Sequence, residues 1–542
     1  MTSHAGRYYD NKARISVRMI RSLLTKRWPE LVVTALVLAL VLKTTIGALG
    51  AADLSFDDET LYLDASRPEA AGRWLPLADS SPLYPLWYRA LSAFAPDPVN
   101  LYYFNWLTLT AALPILLYAL ALRSGASLVA AATVSVAWSL SHTVWTWPFV
   151  SKFATLILAT GALAATFAED RRIATAIASV VLSAAAYARA ELTALALLFS
   201  GICFVWGLHD ALKRKRPRAA LVAAVIPALT SVTLRFKFGD PTAGGRAFFA
   251  FAQHYALNVV HSKHLTIDPW TNWDKLARPA FPTAQTIFEA ARENPSAFLW
   301  HIGRNAIRFP EEVVELLDPL PYLPTVLAWV MSAALYAVII LGVVGLHASR
   351  RHPDPRLSRW LPLLVIVAIA TAGSVLLIQP REHYILPLCF LALAALAGLG
   401  TRAVPASIAS KLSSRASRLR LQLSLCAALT LLLLALPTWC PDAAPALLSE
   451  KGPRHPDVLE GRATVQAIRA LALGGRVVIL ESDHSRGVYA NLDFVRVAQW
   501  DKQEPSHFQL FAHDVDTQGE FRFIPVTPTN VVLAVRRTLI RQ

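Results

Sequence analysis

Long apolar runs, separated by short charged or proline-containing breaks, dominate the first four-fifths of the chain. A helix needs about 20 predominantly apolar residues to cross the hydrocarbon of a bilayer. Eleven stretches approach that length: residues 30–50, 99–122, 126–147, 150–168, 173–189, 192–209, 219–235, 323–347, 360–379, 384–400 and 421–440. The fourth and fifth are short and the fifth and sixth touch, so ten or twelve spans stay open. Residues 51–98 and 236–321 mix polar, aromatic and apolar positions instead. Beyond residue 440 the pattern changes to short runs of strand length, Arg476 to Leu480, Phe494 to Val497, Phe521 to Val526 and Val531 to Val535, with a helical stretch at Thr464 to Leu473. The pattern therefore predicts a transmembrane domain over 1–440 and a small α/β domain over 441–542.

Charge orients the spans. Lys and Arg are retained on the cytoplasmic side of short loops. The N-terminal segment carries Arg7, Lys12, Arg14, Arg18, Arg21, Lys26 and Arg27. It is long and lacks a small-residue cleavage site, so the first span is expected to be an uncleaved anchor with its N-terminus inside. With eleven spans, the other inside loops carry Arg123, Arg171–Arg172, Lys213 to Arg218, Arg350 to Arg359 and Arg402 to Arg420, and every one is basic. The loops at 51–98 and 236–321 and the C-terminal domain then lie outside.

Composition agrees with this reading. Only 16% of the 542 residues are charged, and 55% are hydrophobic. The formal charge of +15 is concentrated in the six inside segments, which hold 24 of the 52 basic residues and 5 of the 37 acidic ones. The high pI of 9.8 is thus a topology signal, and no nucleic-acid partner is expected. Cys203, Cys389 and Cys426 sit inside apolar runs and read as small core hydrophobes rather than a disulfide framework.

The chemistry concentrates at the outer ends of the spans. Just past the first span the chain reads Asp57-Asp58-Glu59-Thr60-Leu61-Tyr62. Acids beside hydrocarbon are costly unless solvated or partnered. They suit either a helix N-terminus or a general base held at the membrane surface. Next come Ser80-Ser81-Pro82-Leu83-Tyr84-Pro85-Leu86-Trp87-Tyr88-Arg89, an amphipathic aromatic stretch suited to the interface plane.

Asp58-Glu59-x-x-Tyr62 followed by Pro82-Leu83-Tyr84 and an interfacial helix resembles the GT-C fold glycosyltransferases that use lipid-phosphate sugars, above all the protein O-mannosyltransferase and aminoarabinose transferase group. The resemblance covers about residues 30–125 in detail and the remainder in topology. It implies that Asp58 is the catalytic base, that Glu59 assists in the same pocket, and that Asp57 is an extra acid able to take either role. It also implies a polyprenyl-phosphate-linked sugar donor and a lipid, glycan or protein acceptor. One departure stands out: the family's Lys before its paired prolines is replaced by Ser80-Ser81, so the phosphate ligand must come from elsewhere or the substrate differs.

Candidate ligands lie at other outer turns. Arg189 and Glu191 occupy the turn between the fifth and sixth spans, and Arg381 and His383 the turn between the ninth and tenth. Lys152 follows Trp145, Trp147 and Pro148. A guanidinium fork can hold phosphate oxygens bidentately, although each Arg could equally pair with its neighbouring Glu or snorkel. In the second outer loop His254 is a further candidate, while His261 and His264, three apart, could share a helix face without a third metal ligand in view. Trp270, Trp273 and Trp300 suit either sugar stacking or an aromatic belt. Glu481-Ser482-Asp483-His484-Ser485 reads as turn residues, since triads are recognised by geometry rather than adjacency.

The expectation is a bacterial inner-membrane glycosyltransferase with its site facing the periplasm and its lipid tail beside the helix at Pro82 to Phe94. No metal or cofactor is required, though Asp57 and Asp58 leave a divalent ion open. The alternative from another class is a transporter or lipid flippase without covalent chemistry. Against it, no internal repeat is evident and the ionisable residues cluster at span ends rather than the midplane.

Overall fold

In the computed structural model, the described residues are 28, 30–46, 53–54, 58–67, 81–213, 217–242, 246–320, 323–349, 354–403, 415–436, 460–470, 477–481, 488–489, 494–498, 508–511, 521–525 and 532–536. Asp57, Ser80 and the Ser482 to Ser485 run lie outside them. Helix α1 covers 30–46. Two short helices follow, α2 (Asp58–Ala65) and α3 (Leu83–Leu91), and then α4 (Pro98–Arg123), α5 (Leu128–Ser139), α6 (Val150–Phe167), α7 (Arg171–Ala186), α8 (Thr193–Leu212) and α9 (Pro217–Phe238). The long second loop folds into α10 (Arg246–Lys263), α11 (Trp273–Ala277), α12 (Ile287–Glu293) and α13 (Pro295–Leu317). Three long helices, α14 (Thr325–Ser349), α15 (Pro355–Leu377) and α16 (Glu382–Ala403), precede α17 (Arg415–Ala435).

The chain is a polytopic helical membrane protein. Among the described residues seven helices are long and apolar enough to cross a bilayer: α4, α6, α8 with its preceding turn, α9, α14, α15 and α16. That differs from eleven expected spans. The third expected span yields only the twelve-residue α5, which stops at Ser139 before a 3-10 turn at His142–Val144, and the fifth yields the sixteen-residue α7. Most of α5 packs within the main core, and α7 buries a stripe of alanines and serines.

Helix starts follow local chemistry. Asp97 accepts from the backbone N–H groups of Val99 and Asn100 at the start of α4, and Pro98 fills its first position. Asp354 with Pro355 does the same for α15, and Asn294 with Pro295 for α13. Between α14 and α16 the backbones approach closely: a Cβ on Gly345 would collide with the Leu399 carbonyl.

The helix ends sort onto two sides. On one, Arg123 and Arg359 both donate to the Thr166 carbonyl at the end of α6, at 3.2 and 3.0 Å, where the helix dipole favours cations. Arg172 pairs with Asp210 at 2.7 Å and Arg402 with Asp354 at 3.1 Å on that same side. The opposite, loop-bearing side gathers α2, α3, the starts of α4, α6 and α16, the end of α15, and the second loop. That loop has its own small core around Phe251, Phe281, Ala284 and Ala290. Its end is pinned to the α5–α6 turn, where Leu320 donates to the Leu140 carbonyl at 2.8 Å and His142 to Asp318 at 3.1 Å. Helix α10 ends at Lys263 and His264 adopts a φ of 51°, so His261 and His264 do not share a helix face.

Among the described residues, the C-terminal segment includes helix α18 (Glu460–Ala470) and the strands β1 (Val477–Glu481), β2 (Phe494–Ala498), β3 (Phe508–Phe511), β4 (Phe521–Pro525) and β5 (Val532–Arg536). They form a mixed sheet of order β2-β1-β3-β5-β4, with β1 parallel to both neighbours and β5 antiparallel to both of its own. Strand β3 has no counterpart among the apolar runs read from the sequence. Helix α18 docks on the loop-bearing side. The Asp53 carboxylate accepts from the Gly461 and Arg462 N–H groups at 2.8 and 3.0 Å, capping a helix 408 residues away. Arg469 pairs with Asp97 at 2.8 Å, and Arg462 donates to the Tyr103 hydroxyl at 3.1 Å. Replacing an N-cap acid by alanine typically costs about 1 kcal/mol. Asp53→Ala is therefore expected to raise amide hydrogen exchange across 460–470 several-fold while leaving α4 and α6 protected; unchanged exchange there would contradict this capping role.

Candidate functional site

The site is built around a carboxylate that never meets solvent. Glu59, in the first turn of α2, is 0% exposed. Its Oε2 accepts from the Tyr84 hydroxyl at 2.9 Å and the Tyr88 hydroxyl at 2.7 Å, both on α3. Its Oε1 accepts from the Phe149 backbone N–H at 2.7 Å, at the start of α6. The chain of bonds continues: Asn105 on α4 donates to the Tyr84 oxygen at 2.7 Å, and Trp87 donates to Asn105 at 2.8 Å. One side chain thus ties α2, α3, α4 and α6 together. Burial pushes its carboxyl up to about 7, opposed by those hydrogen bonds. Asp58, beside it, is half-buried and adds to that upward push.

Contacts then run around the loop-bearing side from turn to turn. The Leu83 N–H reaches the Tyr187 carbonyl at 3.4 Å, joining α3 to the α7–α8 turn. In that turn Arg189 donates to Ser151 on α6 at 2.9 Å and to Glu191 at 2.6 Å; its Nη2 also meets Glu191 at 2.5 Å, without a hydrogen bond. The Arg189 guanidinium stacks on the Tyr384 ring at 4.6 Å, bringing in the first turn of α16, and Tyr62 of α2 lies within its electrostatic reach. Arg381, three residues before Tyr384, stacks on Trp270 of the second loop at 4.9 Å. Trp270 in turn packs edge-on against His254 at 5.3 Å. His383 is within reach of Arg189, Arg381 and His254, and hydrogen-bonds the Trp147 backbone.

The sequence-derived residues therefore fall into a connected set. Glu59 and Tyr62 share α2 with Asp58, and Tyr62, Arg189, Glu191, His383, Arg381 and His254 are linked pairwise. Lys152 is buried in the first turn of α6, donating to the Val144 carbonyl and to Thr110, within reach of Glu382 and Glu59. Asp57 lies outside the described residues. On α8, Leu197, Leu198, Ile202 and Val205 form an exposed apolar face. Among the described residues no three His, Cys, Asp or Glu side chains are placed to hold a metal ion.

Sequence reading passed over a second set. Seven buried side-chain nitrogen or oxygen atoms among the described residues make no hydrogen bond. Six belong to these turns: Trp145 Nε1, Trp147 Nε1, Arg189 Nη2, Thr193 Oγ1, His254 Nε2 and Gln379 Oε1. Buried polar atoms are nearly always satisfied, so these are exceptions on the loop-bearing side. The Trp-x-Trp-Pro run was a visible hint; the side of the fold it faces was not. Tyr489 is also fully buried here, edge-on to Tyr102 at 5.7 Å, with Arg67 and Arg469 donating to the carbonyls of Val488 and Tyr489.

A carboxyl raised above its ordinary 4.5 to about 7 keeps a proton that the unfolded chain releases. Its contribution to stability is therefore largest below about 4.5 and declines as pH rises towards about 7. Glu59→Gln is expected to stay folded and to flatten the pH dependence of thermal unfolding in that window. Glu59→Ala leaves three buried donors unpaired and should cost on the order of 3 kcal/mol. A Gln variant as unstable as Ala, or with an unchanged pH profile, would contradict this account.

No protein-family model matches the chain, and no curated protein matches it. Among solved structures it is similar to the archaeal oligosaccharyltransferase AglB from Archaeoglobus fulgidus, in complex with an inhibitory peptide and a dolichol-phosphate. The likeness has a TM-score of 0.39 at 12% identity and covers 87% of this chain, but only 64% of the length of that one. An overlap of that size leaves the site to be read from its own residues.

Proposed function

We propose that the chain is a membrane glycosyltransferase of GT-C type that moves a sugar from a polyprenyl phosphate to an acceptor hydroxyl on the extracytoplasmic side. The observation that carries this reading is the link from Arg189, in the α7–α8 turn, to Tyr62 of the short acidic helix that bears Asp58, with Arg381 brought to the same side through His383, which lies within reach of both guanidinium groups. Arg189 connects to Tyr62 of that helix and to Tyr384, three residues beyond Arg381. Buried indole N–H groups at Trp145 and Trp147 add donors to the same side.

In this reading Asp58 takes the proton of the acceptor hydroxyl. The oxygen attacks the anomeric carbon, the bond from that carbon to the phosphate oxygen breaks, and configuration inverts. The electron pair leaves with the polyprenyl phosphate, whose added charge Arg189 and Arg381 offset from fixed positions, an arrangement that can supply much of a rate enhancement. Glu59 serves as the anchor of α2 rather than as a second base, because both of its oxygens are already engaged. The lipid tail lies between spans, beside the interfacial helix α3. No metal or cofactor enters the scheme.

Losing a general base typically costs 10²- to 10⁴-fold in rate. Asp58→Asn is expected to lower sugar transfer in membranes supplied with a polyprenyl-phosphate sugar by roughly that factor with little change in KM. Arg381→Ala should lower transfer and weaken donor binding together. Full transfer by Asp58→Asn would remove the catalytic assignment.

A further inference from the structure

The unsatisfied atoms at the site are of two kinds, and the difference specifies the ligand. Trp145 Nε1 and Trp147 Nε1 can only donate. A phosphate, which only accepts when fully ionised, could satisfy them together with the guanidinium groups. It could not satisfy His254 or Gln379. His254 is 6% exposed, and its Nδ1 lies 2.7 Å from the Ala250 carbonyl, one turn back on α10. A carbonyl oxygen can only accept, so Nδ1 carries the proton and Nε2 presents a lone pair. A second proton on this ring is disfavoured by its burial and by the Arg381 charge, which shares the Trp270 side chain with it. Gln379 is 4% exposed, and its Oε1 is likewise an acceptor without a donor, two residues before Arg381 on the turn into α16.

We propose that His254 Nε2 and Gln379 Oε1 form a hydroxyl-recognising subsite beside Arg381, which takes two hydrogen-bond donors from the sugar of a phosphosugar lipid head group. This deepens the glycosyltransferase reading and rests on it. The division of labour is set by chemistry: Arg381 holds the anionic phosphate, and the neutral imidazole and amide oxygen read the hydroxyl-bearing ring attached to it. A bare lipid phosphate engages the first and not the second. The second loop is held in register for this by a buried polar network on its other flank. Asn258 donates to His301 Nδ1 at 3.0 Å and to Asn305 Oδ1 at 2.8 Å, and Asn305 donates to the Leu376 and Ile378 carbonyls immediately before Gln379.

The test compares binding of two probes to the purified full chain in nanodiscs: polyprenyl phosphate, and the same lipid phosphate carrying mannose. The wild-type chain should prefer the mannosylated lipid. His254→Phe, which keeps ring shape but removes the acceptor, should weaken the mannosylated lipid about five- to tenfold, the effect of one buried hydrogen bond, and leave the bare phosphate unchanged. Gln379→Met should act in the same direction independently, covering the case in which the Phe variant does not fold, as judged by its thermal unfolding. Arg381→Ala should weaken both probes. Equal affinity of the wild type for the two probes, or His254→Phe and Gln379→Met that affect both or neither, overturns the subsite while leaving the glycosyltransferase reading in place. A wild-type chain that binds neither lipid overturns that reading and the subsite with it.

Discussion

Everything on the loop-bearing side hangs on one buried carboxylate. A charge taken out of water is tolerated only when its oxygens are engaged, and Glu59 meets that demand with three donors from two helices, two phenols on α3 and a backbone N–H at the start of α6. The bonds are long-range, reaching up to 90 residues along the chain. They fix the short helix α2 against the bundle, and with it Asp58 and Tyr62. Without that anchor α2 would be an eight-residue helix in a loop, far below the length at which helices persist alone.

The rest of the site is assembled by turns rather than by helices. Arg189 and Arg381 stand at span ends, where a cation in a loop would ordinarily turn to solvent. Each is instead laid on an aromatic ring, Tyr384 and Trp270. Stacking of this kind holds a guanidinium in place, and Ser151 and Glu191 fix the edge of Arg189 as well. The second loop contributes through its own small core and through the His301–Asn305 network, which locks it to the end of α15. Burial pushes His301 down to about 4, so near neutral pH it is an uncharged member of that network rather than a titrating one.

The C-terminal segment is part of this design rather than an appendage. Its helix is capped by Asp53, only five residues before Asp58, and Tyr489 is buried against Tyr102. Asp53 and Arg67, on either side of the acidic helix, thereby meet residues from Gly461 to Val488.

What the sequence determined by itself was the membrane class, the sorting of basic residues, most helix positions, and the list of polar residues at span ends. Those follow from hydropathy, charge and capping, which are local properties. Asp58, Glu59, Arg189, Arg381 and His254 were all legible as candidates because a polar residue beside hydrocarbon is conspicuous. Their roles were not legible. Glu59 and Asp58 are adjacent and chemically alike, and only the three-dimensional positions of Tyr84, Tyr88 and Phe149 separate an anchored carboxylate from a half-buried one. The shorter lengths of α5 and α7 were not legible, because an apolar run reads the same whether lipid or protein covers it. The unsatisfied atoms at Trp147, His254 and Gln379 were invisible for a related reason: a hydrogen bond left unmade is a property of the neighbours a side chain acquires, and those are chosen by the tertiary fold.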